Sequence, residues 1–261
     1  MSEEAKAVQE IAKTTGKFVE LFEKVGAFMS KVIGGASEQV GGILEDWTRY
    51  YRYKNLLTIR DKVDALHHRR RIEGKTIPIP LRAAIPMLEA ASLEQDTTLQ
   101  DVWARLIANS MDPNFSEALH PSYIEIIKQM SSDEALILNA FREIDGYPTL
   151  FTHHVEQMSG WLAEFTAQPT YEGIYSDYLS WCKTLPLKHP DGARTFLDNL
   201  QRLQLIELGF DLSHRAEDNF FEHLKDIGLS DRLLVTLERN EYLRMTAFGE
   251  GFVNACIGEA T

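Results

Sequence analysis

Apolar side chains return at three- and four-residue steps through most of this chain, the period of helices that bury one face. Phe18, Leu21, Phe22, Val25, Phe28, Met29, Val32 and Ile33 form the first such stripe, with Lys17, Glu20, Glu23, Lys24 and Lys31 opposite. This spacing predicts an amphipathic helix over residues 17–33. Gly34-Gly35-Ala36-Ser37 and Gly41-Gly42 then place six small residues in nine. Each glycine lowers helix propensity by about 1 kcal/mol, so close helix packing or a hinge must favour them.

From Ile43 to about Ile72 a single long helix is expected, with Leu44, Trp47, Tyr50, Tyr51, Leu56, Ile59, Val63 and Leu66 along one side and an end near Gly74. Ile77-Pro78-Ile79-Pro80 must be extended, because a residue before proline is driven out of the α region. Pro86 either starts or kinks the helix that follows. Thr97 and Gln100 have the form of a capping box opening a helix to Ser110, with Leu99, Val102, Trp103, Leu106 and Ile107 inward and Asp112-Pro113-Asn114 as its stop. His120-Pro121 opens a helix with Tyr123, Ile124 and Ile127 facing in, and Ser131-Ser132-Asp133 caps another.

The remainder has a different rhythm. A helix over residues 192–203 precedes a short apolar run, Leu205-Ile206-Glu207-Leu208, and Tyr242-Leu243-Arg244-Met245 leads into Thr246, a cap for a last helix with Phe248, Phe252, Val253 and Cys256. Two short strands after a helix, with a terminal helix behind them, match a winged helix-turn-helix carrying an insertion. The expected fold is mainly α: a helical bundle with a winged-helix-like C-terminal part and a short β wing. Three regions follow: 1–46, amphipathic and glycine-rich; 47–130, a basic long helix and central bundle; 131–261, winged-helix-like.

The 261 residues carry a net charge of −12, unevenly spread. Residues 47–82 hold ten basic side chains against three acidic ones, +7 in all, which leaves −19 elsewhere. Arg49, Arg52, Arg60, Arg69, Arg70 and Arg71 form a basic patch suited to an anionic surface, unless acidic residues of the same protein neutralise it. Two distant cysteines, Cys182 and Cys256, argue against a disulfide framework or a cysteine zinc site. No apolar run of membrane-spanning length occurs, and Ser2, Glu3 and Glu4 do not form a signal-peptide flank. The chain is therefore read as cytoplasmic, with peripheral association at the inner membrane as an extension of that reading.

No phosphate-binding loop, dinucleotide fingerprint, zinc-protease motif, nucleophile elbow or EF-hand loop occurs. His67-His68 and His153-His154 are adjacent pairs whose side chains diverge, so both are read as structural or solvent-facing. No catalytic residue, metal ligand or cofactor is assigned.

The stretch Gly34 to Asp46, the Tyr- and Arg-rich helix, and above all Ile85 to Asp112 with Pro86, Trp103, Leu106, Ala108 and Asn109, resemble the Abi-alpha family of bacterial abortive-infection proteins. Asn199 to Glu207 and Thr246 to Phe252 continue the likeness, which spans roughly residues 34–257. Gln204 stands where a glycine would suit the turn. The resemblance implies a role in antiphage defence and supplies no catalytic residues.

Three readings follow. In the first, a non-enzymatic effector engages an anionic membrane surface or a protein partner through Phe18, Phe22, Phe28, Gly34, Gly35, Gly41 and Gly42, with homo-oligomerisation a further expectation. Against it stands a helix hairpin buried in the protein's own core. The second is a winged-helix nucleic-acid regulator, disfavoured because Asp191 and Asp198 offset Arg194 and Arg202 on the expected recognition helix. The third, a toxin enzyme, has no motif.

Overall fold

A computed structural model describes residues 23–28, 30–32, 49–116, 119–158, 171–214 and 236–258. These are mainly helical, with one small three-stranded antiparallel sheet. The chain divides into two compact units, Met1–Ala135 with Gly251–Thr261, and Leu136–Glu250. The last segment, expected in the C-terminal part, thus belongs to the first unit.

In the first unit, residues 23–28 and 30–32 are helical (α1), with Val25, Phe28 and Val32 buried. Helix α2, Arg49–Arg70, buries Tyr53, Leu56, Ile59, Val63 and Leu66 at the predicted helical spacing. Tyr51 does not join that stripe: it is 61% exposed. Residues 43–48 lie outside the described residues. The helix ends at Arg70, before Gly74, because Arg71 turns left-handed at φ 57°. Its N–H donates to the His68 carbonyl at 3.0 Å and that of Ile72 to His67 at 3.1 Å. Those two bonds are the pair of a Schellman ending.

Residues 75–80 are non-helical, and Pro80 (φ −54°, ψ 136°) leads into α3, Leu81–Leu93. Pro86 lies inside α3 rather than at its start. Helix α4, Thr97–Met111, buries Leu99, Val102, Trp103, Leu106 and Ile107 as expected. Its cap is Asp96, not Thr97: the carboxylate accepts from the Thr98 and Leu99 N–H groups at 2.9 and 3.2 Å. Gln100 instead donates to the Glu94 carbonyl at 2.9 Å. An Asx cap one residue upstream satisfies the same orphan donors, so a capping-box pattern read one residue late marks the right helix.

Helix α5, Ser122–Lys128, buries Tyr123, Ile124 and Ile127. Helix α6, Ser132–Phe141, opens with a true capping box. Ser131 N–H donates to the Glu134 carboxylate at 2.6 Å, and Glu134 N–H donates back to Ser131 Oγ at 3.3 Å.

The second unit contains β1 (Thr149–Met158), α7 (Glu172–Cys182), α8 (Ala193–Arg202), β2 (Ile206–His214) and β3 (Thr236–Met245), followed by α9 (Ala247–Phe252). The sheet order is β1-β3-β2, with Leu243 opposite both Phe151 and Leu208. Two corrections to the expected wing follow. The strands of the predicted pair are nine and ten residues long rather than four. A third strand, β1, falls in a stretch that showed no strand signal, because its sequence, with two Thr and an adjacent His pair, buries only Leu150 among its described side chains. Pairing with β3, not apolar alternation, makes it a strand.

Phe141, Phe151, Tyr178 and Trp181 form the aromatic core beside the sheet, with Phe141 stacked on Trp181 at 5.0 Å. Tyr178 donates its hydroxyl to the Ala193 carbonyl at 3.0 Å, tying α7 to α8. Helix α8 ends as α2 does, with Gln204 left-handed at φ 61° and Leu205 N–H donating to the Leu200 carbonyl at 3.0 Å. Gln204 thus occupies a position that glycine favours. Thr246 caps α9 by accepting from Gly249 N–H at 2.8 Å, and its hydroxyl donates to the Gln204 carbonyl at 2.6 Å.

Candidate functional site

Polar side chains that could do chemistry in the first unit converge where the end of α2 meets the end of α4. Arg70 donates to Asn109 Oδ1 at 2.6 Å and lies 3.4 Å from the Asp112 carboxylate. Asn109, itself buried, passes its own amide to the Ala255 carbonyl at 2.6 Å. Ala255 belongs to a π-helical turn, Val253–Ile257, that packs on α4 with Val253, Cys256 and Ile257 buried. Both faces of the Asn109 amide are therefore spent on holding the fold.

His67 is completely buried beside this network, its Nε2 3.4 Å from the Ala108 carbonyl. Burial holds its pKa below the ordinary histidine value, so the ring is neutral at neutral pH. Its neighbour His68 points outward and contacts the Glu73 carboxylate, which that hydrogen bond pulls below the usual carboxylate range. In the second unit His154 bonds Asn240 at 2.8 Å, and the His153 ring lies against Gly173, where a Cβ would meet it at 2.4 Å. Among the described residues no group of three or more metal-binding side chains comes together. Burial raises the Cys256 thiol well above its ordinary pKa and raises that of Cys182 too, so neither is an activated nucleophile.

Two arginines of the expected basic patch, Arg60 and Arg70, and two lysines near it are paired with acids. Arg60 pairs with Asp61 at 2.6 Å, Lys62 with Asp101, Lys31 with Asp64 at 2.9 Å, and Arg70 with Asp112. Arg49 opens α2, Arg52 is half-buried, and Arg69 and Arg71 are exposed. Phe18, Phe22, Gly34, Gly35, Gly41 and Gly42 lie outside the described residues. Phe28 is described, and at 2% exposure it is a core side chain in this structure, not a surface one.

Prolines from two separate segments form the wall of one concavity. Pro80, Ala83, Pro86, Pro121 and Ile124 line a cleft of about 330 Å³ between the starts of α3 and α5, with Arg82 and Glu125 also at its wall. The spacing of prolines was the signal available, and their meeting required the tertiary fold.

The family model described as abortive infection alpha matches residues 52–256. The chain belongs to the abortive infection alpha family. No curated protein and no solved structure matches it. The family region runs from the first turn of α2 to the π-helical turn, so the glycine-rich stretch 34–46 lies outside it. Within this abortive infection alpha chain, the Ile85 to Asp112 block is helix core: Trp103 is 1% exposed and Asn109 joins α2, α4 and the tail. The Thr246 to Phe252 block is equally structural. A Cβ at Gly249 would sit 1.9 Å from the Leu205 carbonyl oxygen, so only glycine lets α9 approach the end of α8 this closely.

No helix among the described residues is long and apolar enough to cross a membrane.

Proposed function

We propose that this protein serves abortive-infection antiphage defence as a non-enzymatic effector or regulator that engages a membrane surface or a protein partner. The observation that carries the reading is the family match over residues 52–256. The fate of the polar groups supports the non-enzymatic part. The buried Asn109 links the half-buried Arg70 to the Ala255 carbonyl, which suits a scaffold rather than a reaction centre.

In the second unit we infer a winged-helix arrangement used for assembly or sensing. The order helix, strand, helix, helix, strand, strand with sheet order β1-β3-β2 favours it. A nucleic-acid role for that unit is the second reading, and the side chains of α8 weigh against it. Arg194 stacks on Tyr175 at 3.4 Å and lies 3.5 Å from Asp198, while Arg202 is held by Asn199 at 2.7 Å. Residues 130–261 also carry ten basic against 21 acidic side chains, a field that repels phosphates.

The test is phage challenge of a host expressing the full chain, beside a variant lacking residues 1–46. Defence predicts fewer plaques and early loss of infected cells with the full chain. Unchanged plaque numbers would remove the defence role. Full protection by the shortened chain would remove its N-terminal region from the mechanism.

A further inference from the structure

In a protein of net charge −12, residues 74–88 contain no acidic side chain. They follow the left-handed turn at Arg71 and pass through the non-helical segment into α3. Arg71, Lys75 and Arg82 are exposed there and make no ion pair among the described residues. Four acidic groups of the same unit are engaged elsewhere: Glu73 with His68, Asp112 with Arg70, Asp64 with Lys31, and Glu125 with Lys128 at 2.9 Å; Glu89, two turns beyond Arg82 on α3, is exposed. Three uncompensated cations therefore flank one segment.

That segment is also apolar at its surface. Ile77 is 47% exposed, Pro78 and Pro80 are exposed beside it, and Pro80 continues into the proline-lined cleft with Arg82 at its wall. Uncompensated cations around an exposed aliphatic side chain and an apolar cleft form the combination that holds interfacial segments on anionic lipid. A nucleic-acid backbone would use the cations and leave Ile77 and the cleft without a role. Backbone bonds hold the segment in place, with Ile77 N–H donating to the Met111 carbonyl at 2.9 Å and Ile79 N–H to the Val32 carbonyl at 2.7 Å.

We propose that the surface formed by Arg71, Lys75, Ile77 and Arg82, with the adjoining cleft, docks on an anionic phospholipid bilayer. This rests on the membrane arm of the functional reading above and moves the contact from the N-terminal aromatic stripe to the start of α3.

The experiment is co-sedimentation of the full chain with phosphatidylcholine vesicles containing phosphatidylglycerol, against phosphatidylcholine alone. Binding to the anionic vesicles that weakens with salt is expected. Each cation near such a surface contributes about fivefold, so R71Q/K75Q/R82Q should bind at least tenfold more weakly with an unchanged melting temperature. I77S should weaken binding without changing its salt dependence. Equal binding to both vesicle types, or undiminished binding by the triple variant, overturns the proposal. So does a wild-type chain that ignores vesicles and instead retards duplex DNA or self-associates through these residues. Scoring phage protection in the same strains separates the two claims. Protection without vesicle binding overturns this proposal alone, whereas vesicle binding without protection supports it and overturns the defence role.

Discussion

Asn109, in the middle of the sequence, donates its side-chain amide to the carbonyl of Ala255, 146 residues later, across 2.6 Å in the interior of the first unit. The same side chain accepts from Arg70. One amide thereby joins the end of α2, the end of α4 and the C-terminal turn, a contact of very long sequence separation that forms only when the chain has returned from the second unit.

Asn109→Ala should be among the costlier single changes. It strands the Ala255 carbonyl, at about 1–3 kcal/mol for a buried unsatisfied group, and leaves the half-buried Arg70 with only its longer contact to Asp112. Chemical denaturation should show a lowered midpoint. An unchanged midpoint would mean that the tail is not clasped by this residue.

Trp103, 1% exposed, fills the core of the first unit. Trp103→Ala should lower stability by about 3–5 kcal/mol and with it the soluble yield. A melting temperature within a degree of wild type would place this ring outside the core.

Gln204→Gly should raise stability. Its left-handed backbone costs an L-residue about 1–2 kcal/mol, part of which glycine returns to unfolded-chain entropy. The net gain should be about 0.5–1 kcal/mol in urea denaturation. Gly249→Ala should act in the opposite direction, since its Cβ would collide with the Leu205 carbonyl.

The buried ring of His67 makes stability depend on pH. Its folded pKa is depressed below its unfolded one, so the unfolded chain binds the proton more readily. The contribution is fully present above the ordinary histidine pKa and is lost as pH falls through and below about 6.5. Melting temperatures from pH 8 to 5 should fall for wild type and fall less for His67→Gln. Parallel curves would show that other groups govern the acid limb.

The sequence by itself determined the helices of the first unit and which faces they bury. Leu56, Ile59, Val63 and Leu66 in α2, and Leu99 to Ile107 in α4, lie where three- and four-residue spacing put them, because a helical period is local and twenty residues suffice to express it. The helix start at Ser131-Ser132-Asp133 and the unfavourable Gln204 were legible for the same reason. Only tertiary structure decided the rest. Strand β1 exists through its partner β3, eighty-odd residues away, and its own residues carry no alternation. Proline-lined walls from Pro80, Pro86 and Pro121 meet only when α3 packs near α5. Which arginines stay uncompensated depends on where each acid arrives: Asp101 and Asp112 reach Lys62 and Arg70 through the packing of α4 on α2, and no carboxylate comes to Arg71, Lys75 or Arg82 among the described residues. Charge counts along a chain are blind to that matching, because an ion pair is a matter of a few ångströms in space and of none in particular along the sequence.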